Sequence, residues 1–434
     1  MVIIADDLTG AADCAASSAA LGYKAVILMH PLDDQRCEEG CSDADILSID
    51  ANTRCLPVEQ ASEVTSQLVR RWDARFAGGP GYVLYKKIDS TLRGNVAAEL
   101  TALLSARRSS NHGSSTISIL MAPAAPALGR TMVYGRLLVR GVPLEETDIW
   151  QAEAGTPQSN ISHLLAHAHL SSELIDIDTV RSSPTSLHEA IHRSAEKSDV
   201  VVCDAETDSD LCAIAEASLE VPAITALVGS AGLACQLPRA IGMTPKPGPC
   251  EWNFADGPTL FVVGTTSSIS REQVRLLRED SEVATVCADP TSMQGFSSIR
   301  TEVMQKLESG RDVLLTLNGV DRIPSYKERF IQEALSQVAS TCAQFLGGVV
   351  ATGGATARAV LNEFGIDRLR LLGEVEPGLA FSVADRWLRP LPVITKAGAF
   401  GSPQTLVRSH EFLAKLKRVP PQTSEKSPLK LREI

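Results

Sequence analysis

Short apolar runs alternate with helix-forming segments along the first hundred residues. The runs VIIA, AVILM, ILSID and YVLYK begin at residues 2, 25, 46 and 82, and each has the composition of a buried strand. Between them lie a segment of small residues over 11–21 and an amphipathic segment from Pro57 to about Phe76. This βαβα alternation with short loops predicts a parallel sheet covered by helices.

A second alternating series begins at Thr259, with predicted strands near residues 260–263, 284–287, 312–317, 348–351 and 391–395. The pair Ser270 and Gln273 predicts a capping box at the start of its first helix. Four prolines within 243–258 predict a linker, and the polar residues 420–434 predict a frayed tail. We therefore predict an α/β chain of two domains, 1–242 and 259–419, each a mainly parallel sheet flanked by helices.

One segment of the N-terminal half has a different pattern. After a predicted strand at 117–121, residues 131–143 (TMVYGRLLVRGVP) alternate in polarity and contain Gly135 and Gly141 as turn residues. This pattern predicts a β-arm protruding from the N-terminal domain. Such an arm is a candidate cover for a pocket, or a candidate contact in a homodimer.

Composition and charge exclude several classes of protein. No run in the 434 residues approaches the ~20 apolar residues of a membrane helix, and the N-terminus lacks the layout of a signal peptide. The net charge of −11 argues against a nucleic-acid partner. The ten cysteines form no CxxC motif and are scattered along apolar segments, which indicates a reduced, cytoplasmic enzyme.

Charged residues follow three of the predicted N-terminal strands. Asp6 and Asp7 follow the first strand, Arg54 follows the run at 46–50, and Lys87, Asp89 and Arg93 follow the run at 82–86. Since ligands of parallel sheets bind beyond the carboxyl ends of the strands, these loops are expected to converge on one pocket. Basic groups suit a carboxylate, and carboxylates suit hydroxyl protons. The alternative interpretation is a set of solvated charges and helix caps.

Glycine turns mark the C-terminal half. Gly353 and Gly354 follow the apolar residues 349–351 and precede a helix-forming segment at 355–364. A turn without side chains at a helix N-terminus can hold a phosphate group with backbone N–H groups. The alternative is an ordinary turn between a strand and a helix. The segment 229–232 (GSAG) is likewise either an anion turn or a site of close helix–sheet packing.

Other nucleotide and metal motifs are absent or lack their context. The chain has no GxxxxGK[ST] motif and no GxGxxG after a strand, which argues against a P-loop and a conventional dinucleotide fold. His188, Glu189 and His192 match HExxH, the pattern of zinc peptidases. Five of the eight histidines lie between His163 and His192, away from the strand-end loops. We therefore interpret this match as an ordinary helix.

Several runs carry a resemblance to a known family. IADDLTGA (4–11), KKIDSTLRGN (86–95) and the loop 122–130 resemble the N-terminal signatures of the four-carbon acid sugar kinase family. GTTS (264–267), ATGGATA (351–357), EPG (376–378) and KAGAFG (396–401) resemble its C-terminal ones. The chain departs from the family's Gly-Ser-x-Ser at Thr265 and from its Lys-Ser-Gly-Asn-Phe-Gly at Ala397 and Ala399. Backbone or water contacts would replace those side chains here.

The resemblance implies which residues bind each ligand. The acid sugar would be bound in the N-terminal domain by Asp6 or Asp7 together with Arg54, Lys87, Ile88, Asp89 and Ser90. We also expect Arg93 to lie at this site. ATP would be bound in the C-terminal domain by Ser267, Gly353, Gly354, Ala355, Thr356 and Gly398. Mg²⁺ is expected to accompany ATP, with no protein ligand assigned. The two domains would have to close before transfer.

The resulting hypothesis is ATP-dependent phosphorylation of the terminal hydroxyl of a four-carbon sugar acid. D-threonate is the expected substrate, with D-erythronate, L-threonate and 3-oxo-tetronate as alternatives. Arg54 and Lys87 would hold the carboxylate, and Asp7, with Asp6 or Asp89 as alternatives, would accept the hydroxyl proton. A non-catalytic sensor that closes on a sugar acid is the alternative of another class.

Overall fold

A computed structural model gives the structure of the chain. It describes residues 1–418 except 33–43, 78–81, 111–115, 148–157, 246–251, 266, 281, 290–294, 319–324, 386 and 388. The predicted tail, part of the predicted linker and Thr266 therefore lie outside the described residues.

Strands and helices alternate along the described chain. The strands are β1 Val2–Ala5, β2 Ala25–Leu28, β3 Ile46–Asp50, β4 Leu84–Lys87, β5 Ser118–Ala122, β6 Arg130–Val133, β7 Arg136–Val139, β8 Val142–Pro143, β9 Ser172–Ile175, β10 Val200–Cys203, β11 Ile224–Gly229, β12 Thr259–Val263, β13 Val283–Ala288, β14 Asp312–Leu317, β15 Gly348–Thr352, β16 Arg368–Glu376, β17 Leu379–Ala384 and β18 Leu391–Lys396. The helices are α1 Leu8–Ala20, α2 Val58–Phe76, α3 Val96–Ser110, α4 Ile161–Ala166, α5 Ile177–Val180, α6 Pro184–Ala195, α7 Asp208–Leu219, α8 Ala231–Ala240, α9 Ser268–Arg278, α10 Gly295–Glu308, α11 Ser325–Ser340, α12 Gly354–Glu363 and α13 Thr405–Arg418.

The first of two compact units consists mainly of Met1–Ala15 and Asp45–Thr244. Its strands lie side by side in the order β3-β1-β4-β11-β5-β10-β9, and all of these neighbours are parallel. Strand β1, which lies between β3 and β4, is buried along its whole length, as its uninterrupted apolar run predicts. Strand β9 was not predicted from the sequence, because this edge strand is mostly exposed and only its last two residues are apolar.

The predicted β-arm is confirmed as a small antiparallel sheet of β6, β7 and β8. Each of its two turns has positive φ at both central residues, 51° and 71° at Tyr134 and Gly135, and 52° and 80° at Arg140 and Gly141. Such turns match the twist of the strands that they join. The carboxylate of Asp204 accepts hydrogen bonds from the N–H groups of Tyr134 and Gly135 at 2.7 and 2.9 Å, which anchors the first turn.

The second unit contains Ala16–Met29 and the described residues from Pro245 onward. Its strands lie in the order β13-β14-β12-β15-β18-β17-β16-β2, parallel from β13 to β18 and antiparallel from β18 to β2. We expected an unbroken N-terminal domain over 1–242, but Ala16–Met29 groups with this unit because β2 pairs with β16. A short apolar run predicts a buried strand without specifying its partner.

Two details of the second unit differ from the sequence expectations. The hairpin of β16 and β17, which turns at Gly378 with φ of 80°, was not predicted, although a Pro-Gly pair separates its strands. The cap of α9 was assigned to the wrong residue. Ser267 caps the helix by accepting a hydrogen bond from the Ser270 N–H, while the side chains of Ser270 and Gln273 bind a neighbouring loop instead.

The described helices include none long and apolar enough to cross a membrane. The described cysteines are free thiols, and Cys14, Cys203 and Cys342 are buried. Burial raises the pKa of the Cys203 thiol, which keeps it protonated and unreactive. The cytoplasmic location expected from the sequence stays a prediction.

A buried histidine ties together several elements of the second unit. His410 on α13 lies edge-on to Phe261, with ring centroids 6.0 Å apart. Its Nδ1 lies 2.9 Å from Asp280 Oδ2 and its Nε2 lies 2.9 Å from Asp312 Oδ2. The hydrogen bond to Asp312 is the main cause that raises the pKa of His410 above its ordinary value, against the opposing effect of burial.

His410→Gln should therefore lower the free energy of unfolding in a pH-dependent way. Because the folded pKa is raised, the stabilisation is complete below the unfolded pKa of ~6.5 and is lost as pH rises through the folded value. Urea unfolding across this range should show the difference from wild type shrinking as pH rises. His163→Gln, at an exposed position on α4, is the control. A difference that grows with pH would contradict this role of His410.

Candidate functional site

One guanidinium group joins three strand ends of the first unit. Because β1 lies between β3 and β4, the loops after these strands meet at one edge of the sheet. Arg54 Nε lies 2.7 Å from Asp6 Oδ2, and its two terminal nitrogens lie 2.7 Å from Asp7 Oδ2 and 3.4 Å from Asp89 Oδ1. The predicted convergence of charged loops is thus present in the structure.

Backbone and buried side-chain contacts fix the loop that carries Arg54. The N–H groups of Thr53 and Arg54 both donate to the carbonyl oxygen of Asp6, at 3.0 and 3.2 Å. The Thr53 hydroxyl donates to the buried carboxylate of Glu99, which lies 3.1 Å from Lys86 Nζ. Breaking such a buried pair by removing one partner typically costs about 3–5 kcal/mol. Lys86 and Glu99 therefore act as structural support for the Arg54 loop.

Asp7 caps helix α1 as well as pairing with Arg54. Its Oδ1 accepts the Gly10 N–H at 2.8 Å, and its Oδ2 accepts the Thr9 hydroxyl at 2.7 Å. A Cβ on residue 10 would lie 2.6 Å from Asp7 Oδ1 and 2.8 Å from Lys87 Nζ. Gly10 thus leaves the space in which the Lys87 ammonium lies beside Asp7.

Asp89 is held as a buried carboxylate. Arg93 binds it through two hydrogen bonds of 2.8 Å, and the Thr91 hydroxyl donates to it at 2.5 Å. Burial opposes ionisation, but Arg93 and Arg54 hold the pKa of Asp89 well below its ordinary value. Asp89 therefore stays ionised throughout the physiological range.

Lys87 and Asp6 face each other without a direct hydrogen bond. Lys87 Nζ lies 3.9 Å from Asp6 Oδ1, an oxygen that is buried and has no hydrogen-bond partner among the described residues. Despite burial, Arg54 and Lys87 lower the pKa of Asp6, and Asp6 raises the pKa of Lys87. A ligand hydroxyl or carboxyl group could satisfy the groups that this pair leaves open.

Asp6, Asp7, Arg54, Lys87, Asp89 and Arg93 form the charged cluster of the first unit. The remaining predicted substrate residues lie beside this cluster. Ile88 is buried and its N–H donates to the carbonyl of Gly229, so its backbone already has a partner in the sheet. Ser90 is half-buried in the same loop. The GSAG segment serves close packing, since a Cβ on Gly229 or Gly232 would lie 2.4 or 2.5 Å from a carbonyl oxygen.

Two residues near the cluster were not predicted from the sequence. Asp13, further along α1, interacts electrostatically with Lys87 and Asp7, and burial raises the pKa of its carboxyl group. Arg130, the first residue of β6, interacts electrostatically with Asp89. Spacing gave a signal for Asp13, because a residue three positions after Gly10 lies on the same helical face. Arg130 lies in the segment 122–130 that resembles the family, but nothing in its local sequence assigned it to the site.

In the second unit, three adjacent strand ends carry glycine and hydroxyl groups instead of a cluster of ion pairs. The strands β12, β15 and β18 are parallel neighbours. Gly353 follows β15 with φ of 94°, and α12 begins at Gly354 without a side-chain cap. The hydroxyl of Thr352 is buried and has no hydrogen-bond partner among the described residues. This turn is thus open to an anion that approaches the helix N-terminus.

The predicted ATP residues of the three loops come together. A Cβ on Gly264 would lie 2.4 Å from Thr356 Oγ1, and one on Gly398 would lie 2.9 Å from Thr265 Oγ1. The Ser267 hydroxyl donates to the Gly398 carbonyl at 2.8 Å. Only glycine allows these approaches, so the packing of the loops explains the motif glycines. Gly354 and Ala355 form the first turn of α12 beside Thr356.

Lys396, at the end of β18, was not predicted as a site residue. Its side chain is buried, and Nζ donates to the carbonyl oxygens of Ala397, Gly398 and Phe400 at 3.0, 3.3 and 3.0 Å. Burial lowers the pKa of Lys396 to about 7, although the negative charge of Glu376 acts in the opposite direction. The apolar run before it in the sequence gave no sign that the lysine would turn inward.

The HExxH match lies on α6. The rings of His188 and His192 have centroids 6.3 Å apart, and His192 Nδ1 lies 3.9 Å from Glu196. Among the described residues, no group of three or more His, Cys, Asp or Glu side chains is placed to hold a metal ion.

Family models match both halves of the chain. The model described as "Sugar-binding N-terminal domain" matches residues 1–237, and the model described as "Nucleotide-binding C-terminal domain" matches residues 260–406. The first therefore covers the charged cluster around Arg54, and the second covers the glycine loops.

Relatives that are named as sugar-acid kinases match over nearly the whole chain. The chain is similar to a D-threonate kinase of Cupriavidus necator, 37% identical over 93% of this chain and 96% of the relative. It is also similar to a D-threonate kinase of Salmonella typhimurium, 31% identical over 94% and 96%. A D-erythronate kinase of Heliobacterium modesticaldum is 28% identical over 95% and 97%.

Solved structures share the fold. A crystal structure from Salmonella typhimurium matches with a TM-score of 0.75 at 21% identity, over 94% of this chain and 98% of that chain. The Haemophilus influenzae protein HI1011 matches with a TM-score of 0.68 at 22% identity, over 95% and 100%.

Proposed function

Since the chain belongs to the four-carbon acid sugar kinase family, we propose that it transfers a phosphoryl group from ATP to the 4-hydroxyl of D-threonate. Relatives named D-threonate kinase are 37%, 31% and 30% identical to it, whereas a D-erythronate kinase is 28% and a 3-oxo-tetronate kinase 27% identical. This ranking favours D-threonate over the related acids.

The observation that carries the proposal is the buried pair of Lys87 Nζ and Asp6 Oδ1, 3.9 Å apart beside Arg54. Lys87 and the exposed edge of Arg54 hold the carboxylate of the acid by charge-assisted hydrogen bonds. Asp6 Oδ1 accepts a hydrogen bond from a hydroxyl of the acid. Within the described cluster, Arg54, Lys87 and Arg93 balance the charges of Asp6, Asp7 and Asp89, so a bound anion meets no net repulsion.

Asp7 is the proposed acceptor of the hydroxyl proton, and Asp89 is the alternative. The side chain of Asp7 is 14% exposed, against 8% for Asp89. Asp89 also receives two hydrogen bonds from Arg93, which weaken it as a base. Asp7 therefore suits proton acceptance better.

The loops of the second unit fit a nucleotide. Gly353, Gly354, Ala355 and Thr356 present the start of α12, and Ser267 and Gly398 lie on the adjacent loops. When bound, ATP with Mg²⁺ supplies the phosphoryl group that is transferred. The residues of the chain hold and orient the phosphates through main-chain N–H groups, and no protein ligand for the metal is assigned.

Three expectations of the sequence analysis belong to this proposal. Phosphoryl transfer requires the bound acid and the nucleotide to come together, and the predicted closure of the two domains is the proposed movement that achieves this. The β-arm remains a candidate contact in a homodimer, and sedimentation of the purified chain would test it. The cytoplasm is the proposed location.

A panel of four-carbon acids tests the function directly. ADP release measured with D-threonate, D-erythronate, L-threonate and 3-oxo-tetronate should show the highest kcat/KM with D-threonate. Higher kcat/KM with another acid would replace the substrate but keep the reaction. Absence of turnover with every acid, in a protein that binds them, would favour the non-catalytic sensor.

Asp7→Asn should lower kcat by at least ~10²-fold, the usual scale for loss of a general base. Steady-state kinetics with D-threonate measure the effect, and calorimetry checks that the acid still binds. Asp178→Asn, at an exposed position on α5, is the matched control and should leave kcat unchanged.

Asp89→Asn tests the alternative base under the same conditions. If it reduced kcat far more than Asp7→Asn while acid binding survived, Asp89 would be the base. Activity of Asp7→Asn near the wild-type value would remove Asp7 from this role.

A further inference from the structure

Four carbonyl groups in residues 397–402, the loop after β18, accept hydrogen bonds from side chains of the second unit. Lys396 Nζ donates to three of them, those of Ala397, Gly398 and Phe400. The hydroxyls of Ser267 and Ser270 also donate to the Gly398 carbonyl, at 2.8 and 2.5 Å. Gln273 Nε2 donates to the carbonyls of Phe400 and Ser402, at 3.0 and 2.8 Å. These side chains fix the orientation of the four peptide groups that follow Ala397, Gly398, Phe400 and Ser402.

The orientation of each peptide also fixes the N–H group that follows it. In a trans peptide the C=O and the next N–H point in opposite directions, and the described chain contains no cis peptide bond. The N–H groups of Gly398, Ala399 and Gly401 therefore point away from Lys396. None of the three has a hydrogen-bond acceptor among the described residues. Ala399 and Gly401 are exposed and Gly398 is half-buried, so this part of the loop lies at the surface.

The glycine turn after β15 lies next to this loop. The Gly353 N–H donates to the carbonyl oxygen of Lys396 at 2.8 Å, which joins the two segments at their bases. The first N–H groups of α12, from Gly354 to Thr356, likewise have no acceptor among the described residues. Two adjacent loops thus present unpaired N–H groups, the arrangement that binds phosphate oxygens.

We propose that Lys396 is a positioning residue that shapes residues 397–401 into a second phosphate-binding loop, in which the amides of Gly398, Ala399 and Gly401 contact the nucleotide. This inference rests on the nucleotide site of the proposed function and extends it. It also accounts for Ala397 and Ala399, because a loop that binds phosphate through its backbone requires no polar side chains there.

The charge of Lys396 strengthens this arrangement. Its ammonium group lies at the carbonyl end of three peptide dipoles whose N–H ends point outward, so it polarises them in the sense that attracts an anion. Burial lowers the pKa of Lys396, and the charge of Glu376 opposes this shift. Glu376 Oε2 itself lies 2.6 Å from Arg408 Nη1. A bound phosphate would in turn favour the charged form of Lys396.

Calorimetric titration of Lys396→Met with ADP and with adenosine tests the proposal without any turnover. Methionine keeps an unbranched side chain but removes the three hydrogen bonds. The dissociation constant for ADP should rise at least ~10-fold, on the scale of one or two charge-assisted hydrogen bonds, while adenosine and D-threonate bind as in wild type. The Gly398, Ala399 and Gly401 amide resonances should shift on addition of ADP to the wild-type chain.

Lys417→Met is the matched control. Lys417 is another largely buried lysine of the second unit, but it donates to Thr259 Oγ1 at the opposite end of β12. It should lower stability without changing ADP binding. If Lys396→Met does not fold, the wild-type amide shifts decide alone.

ADP affinity of folded Lys396→Met within two-fold of wild type would overturn the proposal, as would equal weakening of ADP and adenosine or wild-type amide resonances that do not move. These outcomes are distinct from failure of the proposed function, which the acid panel reports through turnover.

Discussion

The first unit depends on placing one largely buried guanidinium group among carboxylates from separate strands. Arg54 lies within 3.4 Å of Asp6, Asp7 and Asp89, which belong to the loops after β1 and β4. Charges removed from water are tolerated only when they are paired and hydrogen-bonded, so these loops cannot move independently. The buried pair of Lys86 and Glu99 supports the Arg54 loop from below. This rigidity leaves Lys87 and Asp6 Oδ1 placed to receive a ligand.

The second unit uses the same position in its sheet for different chemistry. The ends of the parallel neighbours β12, β15 and β18 carry glycines, hydroxyls and a buried lysine, where the first unit carries ion pairs. A side-chain cluster distinguishes the carboxyl and hydroxyl groups of a small acid. Backbone N–H groups suit phosphates, which every nucleotide shares. The proposed division of labour follows from this difference between the two strand-end sites.

Much of this architecture was predictable from local sequence. The apolar runs gave most strands, and the charges after them gave the cluster, because side chains at parallel strand ends meet regardless of tertiary detail. Partners of short strands were not predictable, as β2 shows by pairing with β16. The role of Lys396 was also hidden, since it depends on carbonyl orientation within a loop. Ser270 was misjudged as a cap because its hydroxyl binds Gly398, a residue 128 positions away.

The most direct test is calorimetric titration of Arg54→Met with D-threonate and, separately, with ADP. Methionine removes the group that links Asp6, Asp7 and Asp89 while keeping an unbranched side chain. The account predicts that D-threonate binding weakens by at least ~100-fold, as for loss of a buried charge partner, and that ADP binding stays within two-fold of wild type. Loss of ADP binding with D-threonate binding intact would contradict the assignment of the two ligands to the two units.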